Sequence, residues 1–160
     1  MSCCPQGFQP EVVYPKAGKG ELFERLTKQC TKCDIPVVRE IGSIKDYNLV
    51  VDAVFGFSYK PPLREQFRGL LSQISKCGLP IVSVDIPSGW IVDEGPPNDE
   101  STPVINPDCL ISLTAPKLCA KRFKGSSHYL GGRFVPESLG KKYDLRLPPY
   151  EGTNCCVKLN

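Results

Sequence analysis

The chain has 160 residues, 41% of them hydrophobic, enough to fill one compact core, so a single domain over residues 1–160 is the simplest expectation. Its net charge of +3 comes from 20 basic and 17 acidic residues. No block of like charge is long enough to follow a phosphate backbone, and the mildly basic stretch from Lys117 to Lys124 reads as solvated surface, which argues against a nucleic-acid partner. No apolar run approaches the length that crosses a bilayer, so no membrane span is expected.

In chain order, Glu11 to Tyr14 (E-V-V-Y) forms a short strand ending at Pro15. A loop of Lys16-Ala17-Gly18-Lys19-Gly20 follows, and it lacks the G-x-x-x-x-G-K-[ST] spacing of a phosphate loop. From Glu21 to Lys32, Leu22, Phe23 and Leu26 give a helix one apolar side, and Ile35 to Val38 reads as a second strand. The central stretch is L-V-V-D-A-V-F-G (Leu49 to Gly56) and P-I-V-S-V-D-I-P-S-G-W (Pro80 to Trp90), two β-branched runs bounded by Gly and Pro, as in buried parallel strands. Between them Phe67, Leu70, Leu71 and Ile74 fall at i, i+3, i+4 and i+7, one helical stripe. Such a right-handed crossover brings Asp52 and Asp85 to one edge of the sheet.

Ile91 to Asp108, with four prolines and four further acids, reads as a long irregular loop, either a lid or a disordered excursion. Cys109 to Leu113 is another buried strand, delivering Thr114-Ala115-Pro116-Lys117 to an end of the sheet. Ser126 to Pro136 gives a glycine-loosened turn and a final short strand, and the tail from Lys141 is expected to pack along the surface. Alternation of strands and helices implies an open α/β sheet.

Nine cysteines are an odd number at irregular spacings, with adjacent pairs at Cys3-Cys4 and Cys155-Cys156. Cys30-x-x-Cys33 is the one motif-like pair; without a second such pair or a histidine partner it cannot complete a tetrahedral zinc site, and reduced thiols are the plain expectation. The sole histidine, His128, reads more readily as a structural hydrogen-bonder than as a catalyst.

The chemistry lies at the strand ends, where doubly wound sheets bind ligands. A carboxylate inside an apolar run is costly unless it is paired, hydrogen-bonded or bound to a cation, so Asp52 and Asp85 each need an explanation. In the functional reading, Asp52 and Ser88 offer oxygens to a hard cation while Asp85 and Lys60 act as an acid/base pair. In the structural reading, Asp85 or Ser88 caps a turn and Asp52 satisfies nearby backbone donors. Pattern alone leaves both open.

At these residues the chain resembles the NAD(P)H-hydrate epimerase family, the YjeF N-terminal domain, whose animal members are also called apolipoprotein A-I-binding protein. The matching strings are V-V-D-A-V-F-G-F-S-Y-K (Val50 to Lys60), V-D-I-P-S-G-W (Val84 to Trp90), L-I-S-L-T-A-P-K (Leu110 to Lys117) and H-Y-L-G-G-R-F-V-P (His128 to Pro136). The resemblance implies a three-layer Rossmann-like α/β sandwich with a mostly parallel sheet. It also implies an isomerase that interconverts the R and S epimers of hydrated NADH or NADPH in nicotinamide nucleotide repair. By position it makes Asp52 and Ser88 ligands of a potassium ion. Gly56, Phe57, Ser58, Tyr59, Lys60, Pro61 and Pro62 become the substrate loop, Asp85 a substrate contact, and Lys60 with Asp85 the catalytic proton-transfer pair. Partners implied are hydrated NADH or NADPH, apolipoprotein A-I in a non-catalytic alternative, and a second copy in a homodimer.

The chain departs from the family pattern in three places. The family's first strand and its glycine-rich N-N-G-G-D loop have no counterpart, M-S-C-C-P-Q standing in their place. Because oriented backbone N–H groups of such a loop bind phosphate, impaired turnover is the expectation. Pro61-Pro62 follow Lys60 where a glycine and an acid are usual, and Ile91 stands where an aspartate is common. Full-length members are expected in mitochondria or secreted; the opening M-S-C-C-P-Q-G is not a targeting peptide, so a cytoplasmic location is also expected to be open.

Overall fold

A computed structural model describes residues 7–18 and 20–159, so Cys3, Cys4, the rest of the M-S-C-C-P-Q opening and Lys19 lie outside the described residues. Contacts divide the chain into two compact units, parting between Ile44 and Lys45, where the sequence reading had one domain. Each closes on its own secondary structure.

The first unit pairs β1 (Val12–Val13) in parallel with β2 (Val37–Val38), joined through α1 (Glu21–Lys32). Pro36 cannot donate to a ladder, so β2 begins only after it, and its carbonyl accepts from Val12 N–H at 2.9 Å. Glu21 and Glu24 in the first turn of α1 and Lys32 in the last suit the helix dipole. The apolar side read from Leu22, Phe23 and Leu26 is there, yet all three are exposed and α1 has no buried residue.

The second unit is a five-stranded sheet in the order of the sequence: β3 (Val50–Asp52), β4 (Ile81–Val84), β5 (Cys109–Leu113), β6 (Ser127–Gly131) and β7 (Cys156–Lys158). The first four are parallel and β7 runs antiparallel beside β6, the mostly parallel α/β sheet of a Rossmann-like fold. The tail thus supplies an edge strand, a correction to the expectation that it only packs along the surface. The register explains which side is core. Asp52 lies opposite Ser83, Ser83 opposite Leu110 and Ser112 opposite Leu130, so one face carries Asp52, Ile81, Ser83, Leu110, Ser112 and Leu130, all buried. On the edge strand β3, alternation turns Val51 the other way, and it is exposed.

Helix α2 (Glu65–Ser75) carries the expected stripe, with Leu71 and Ile74 buried. The stretch from Ile91 to Asp108 is neither a lid nor a loose excursion. It is pinned by Ile105 N–H on Ser88 O (2.9 Å), Arg68 on Ser101 O (2.8 Å) and the Asp108 carboxylate on Ile81 N–H (2.8 Å), and Ile105 is buried. Within it Asp99 accepts from Ser101 and Thr102, which holds its carboxyl below the usual range. No helix among the described residues is long and apolar enough to cross a membrane.

Candidate functional site

The carboxyl ends of β3, β4 and β5 converge two groups of side chains. Asp52 is the last residue of β3, and only 1% of its surface is exposed. Its Oδ2 accepts from Ser83 Oγ at 2.7 Å and from Ser88 N–H at 2.9 Å; its Oδ1 accepts from Ser88 Oγ at 2.6 Å and, more distantly, from Val54 N–H at 3.4 Å. Ser88 is placed for this by Pro87 and by Gly89, whose φ of +92° an L side chain rarely adopts. Ser88 Oγ in turn accepts from Phe55 N–H at 3.2 Å, tying the start of the next loop to the same centre.

Among the described residues Asp52 has no ion-pair partner, so its charge is met by dipoles alone. That donor set suits a potassium ion in kind: hard oxygens, a carboxylate with no ion-pair partner whose longest hydrogen bond, from Val54 N–H to Oδ1 at 3.4 Å, is its weakest, and one lone pair left on Ser88 Oγ. Asp52 and Ser88 are the residues that could supply two oxygens to such an ion. No group of three or more His, Cys, Asp or Glu side chains is gathered as a metal site among the described residues, the Cys30-x-x-Cys33 pair included.

The second group is built on Asp85, which leaves β4 with a φ of +72°. A non-glycine residue in that region costs free energy, and here the turn is held by Asp85 N–H on Ile111 O at 2.7 Å. The turn aims the carboxylate across to the loop after β3, where Oδ2 accepts from Phe57 N–H at 2.8 Å. A Cβ on Gly56 would meet Oδ2 at 2.9 Å, so only glycine lets the backbone come this close. The other oxygen, Oδ1, takes the ammonium of Lys117, which also donates to Leu113 O at 2.7 Å. The paired side chains are 14% and 16% exposed.

Of the residues read from sequence as the site, the structure joins Asp52 to Ser88, and Asp85 to the Gly56-Phe57 corner. Lys60 is exposed and is not the cation on Asp85; Lys117, arriving from the neighbouring strand, holds that place. Loop 56–62 divides by side chain. The ring of Phe57 is 67% exposed, whereas Tyr59 is buried and stacks on Phe55 with centroids 4.7 Å apart, its phenol pushed up by burial. Ser58, Pro61 and Pro62 are exposed. The signal for Lys117 was the strand-end string T-A-P-K itself, since a residue just past β5 is delivered to the carboxyl edge. Beneath the site Cys119 is buried with Ile86 and Trp90, and burial, then the charge of Asp85, raises its thiol pKa, which keeps it protonated. His128 bonds Ser112 Oγ at 2.9 Å and packs edge-on to Phe123, a structural role.

The sequence profile described as YjeF-related protein N-terminus matches residues 3–119. A protein of Aedes aegypti named NAD(P)H-hydrate epimerase is 52% identical over 157 residues, covering 96% of this chain and 66% of the relative. One of the same name from Anopheles darlingi is 51% identical over 157 residues, covering 96% and 68%. The crystal structure of the yeast protein ynu0, YNL200c, is similar with a TM-score of 0.85 and 39% identity, covering 96% of this chain and 67% of that one. The chain therefore spans about two-thirds of the length of the relatives it matches. With a matching profile over most of its length and relatives at half identity, the chain belongs to the YjeF-related protein N-terminus family.

Proposed function

We propose that this chain takes part in NAD(P)H-hydrate epimerisation, converting the R and S forms of hydrated NADH or NADPH into one another in nicotinamide nucleotide repair. The observation that carries the reading is the Asp85 carboxylate, fixed at the carboxyl end of β4 by Phe57 N–H and Lys117 beside loop 56–62, in a chain whose relatives bear that enzyme's name.

The chemistry asks for little machinery. Inverting a carbon that bears a hydroxyl next to a ring nitrogen means opening and reclosing a hemiaminal-like centre, which needs one proton acceptor and one donor. Asp85 is the acceptor: both its oxygens are oriented and both keep lone pairs for a ligand. Lys60, exposed at the far end of the loop, is the donor that substrate brings into range. The loop as a whole, Gly56 to Pro62, borders the hydrated nicotinamide nucleotide, with the exposed ring of Phe57 offering a face to a planar group. A potassium ion, held by Asp52 and Ser88, would neutralise the buried charge and stiffen the backbone leading into that loop.

The test is the conversion of R to S hydrated NADPH, resolved chromatographically, with the intact chain and with Asp85→Asn and Lys60→Met. Acceleration over the uncatalysed rate, reduced about 100-fold or more by either variant, is the expected result. A chain that gives no acceleration yet captures apolipoprotein A-I would replace this reading with a non-catalytic binding one.

A further inference from the structure

Among the described residues, Lys117 is the one cation placed on a carboxylate at the carboxyl edge, and its surroundings set what it can do. Thr114, just past β5, has a φ of +67°, and Ala115 N–H returns to Leu113 O at 2.7 Å, a tight turn that folds the chain back over the strand end. Lys117 then reaches back so that its ammonium touches both Leu113 O and Asp85 Oδ1. Two strand ends, both leaving through left-handed residues, are thereby joined by a single ion pair that is about five-sixths buried.

We infer that Lys117 is a positioning residue for Asp85, fixing the plane of the carboxylate that receives the proton. This rests on the epimerase reading of the site and assigns direction within it. The donor role stays with Lys60, and Lys117 serves to orient the acceptor. The ammonium has three N–H bonds, two of them used by Asp85 and Leu113 O, so the clamp is set before any ligand arrives.

The experiment compares Lys117→Met and Lys117→Arg with the unaltered full chain by two readouts. In steady-state epimerisation, Lys117→Met lowers kcat by roughly 10–100-fold with KM changed by less than about threefold, as expected when the partner that orients a reacting group is lost. Lys117→Arg, which keeps the charge, recovers at least part of kcat. Independently of any substrate, amide hydrogen exchange at Phe57 rises by up to about tenfold in Lys117→Met, because the carboxylate it donates to is no longer held and a hydrogen bond of about 1 kcal/mol is loosened. Circular dichroism of each variant establishes that it is folded. Unchanged Phe57 exchange in folded Lys117→Met overturns the inference, as does equal kcat for the Met and unaltered chains, or a loss of activity that merely follows the folded fraction. If the unaltered chain does not turn over hydrated NADPH, the epimerase reading falls, and Phe57 exchange still decides whether Lys117 sets Asp85.

Discussion

At the scale of single residues, two aspartates that looked alike in sequence have opposite solutions. Asp52 is met by hydroxyl and amide dipoles, whereas Asp85 has a formal counter-charge. Sequence could say that each needed a partner, because a carboxylate in an apolar run always does. It could not say which, since Ser83, Ser88 and Lys117 become neighbours only through strand register. The uncompensated charge of Asp52 leads to a measurable expectation. Potassium chloride should raise the melting temperature relative to equal choline chloride, by mass action on the folded state, and Ser88→Ala should blunt the rise. Asp52→Asn should abolish it and destabilise the chain outright, by about 1–3 kcal/mol for each buried donor left facing an amide N–H₂. Identical melting in both salts would remove potassium from the site.

His128 offers a second test. Burial holds its pKa below the ordinary 6.5, so the unfolded chain takes up a proton that the folded chain refuses. Stability is therefore fully present above 6.5 and declines as pH falls from there through the lower folded value. His128→Gln should flatten that decline in urea unfolding below pH 6.5, and an unaltered slope would place the proton uptake elsewhere.

At the scale of elements, the strands with β-branched runs were legible and their limits were not. The run from Leu49 to Gly56 yields only Val50–Asp52, and the run from Pro80 to Trp90 only Ile81–Val84, because Asp85 and the residues after it turn away to build the site. β7 escaped notice because Cys156–Lys158 is three residues amid turn-formers and pairs only at an edge. The two longer helices were both read correctly from their stripes, yet they differ in what the stripe does. Leu71 of α2 is fully buried, while Leu22 of α1 is 64% exposed. Leu71→Ala should cost about 2–5 kcal/mol, the range for deleting a buried leucine. Leu22→Ala should stay within about 0.5 kcal/mol in the same unfolding assay. Similar costs for both would mean that α1 buries its stripe against something in solution.

At the scale of the whole molecule, the two units differ in the means of holding themselves together. No described residue before Ile44 is buried, and the first unit has two strands of two residues each beside one helix. A pair that short, without a covered face, is marginal in water. Among the described residues, all the fully buried side chains belong to the second unit, Leu71, Ile86, Ile105, Leu110 and Leu130 among them. Alternation of strand and helix ran unbroken through the sequence, so periodicity gave no sign of the division; it reports local structure and is blind to how much surface each part removes from water. Hydrogen exchange follows that quantity, since an amide opens at the free energy of the unit that shelters it. The bonded amides of Val12 and Tyr14 should therefore exchange roughly 100-fold or more faster than that of Asp85, which bonds Ile111 O between β4 and β5. Equal protection at Tyr14 and Asp85 would show that one cooperative core stabilises the full length, and the division between Ile44 and Lys45 would then have no thermodynamic meaning.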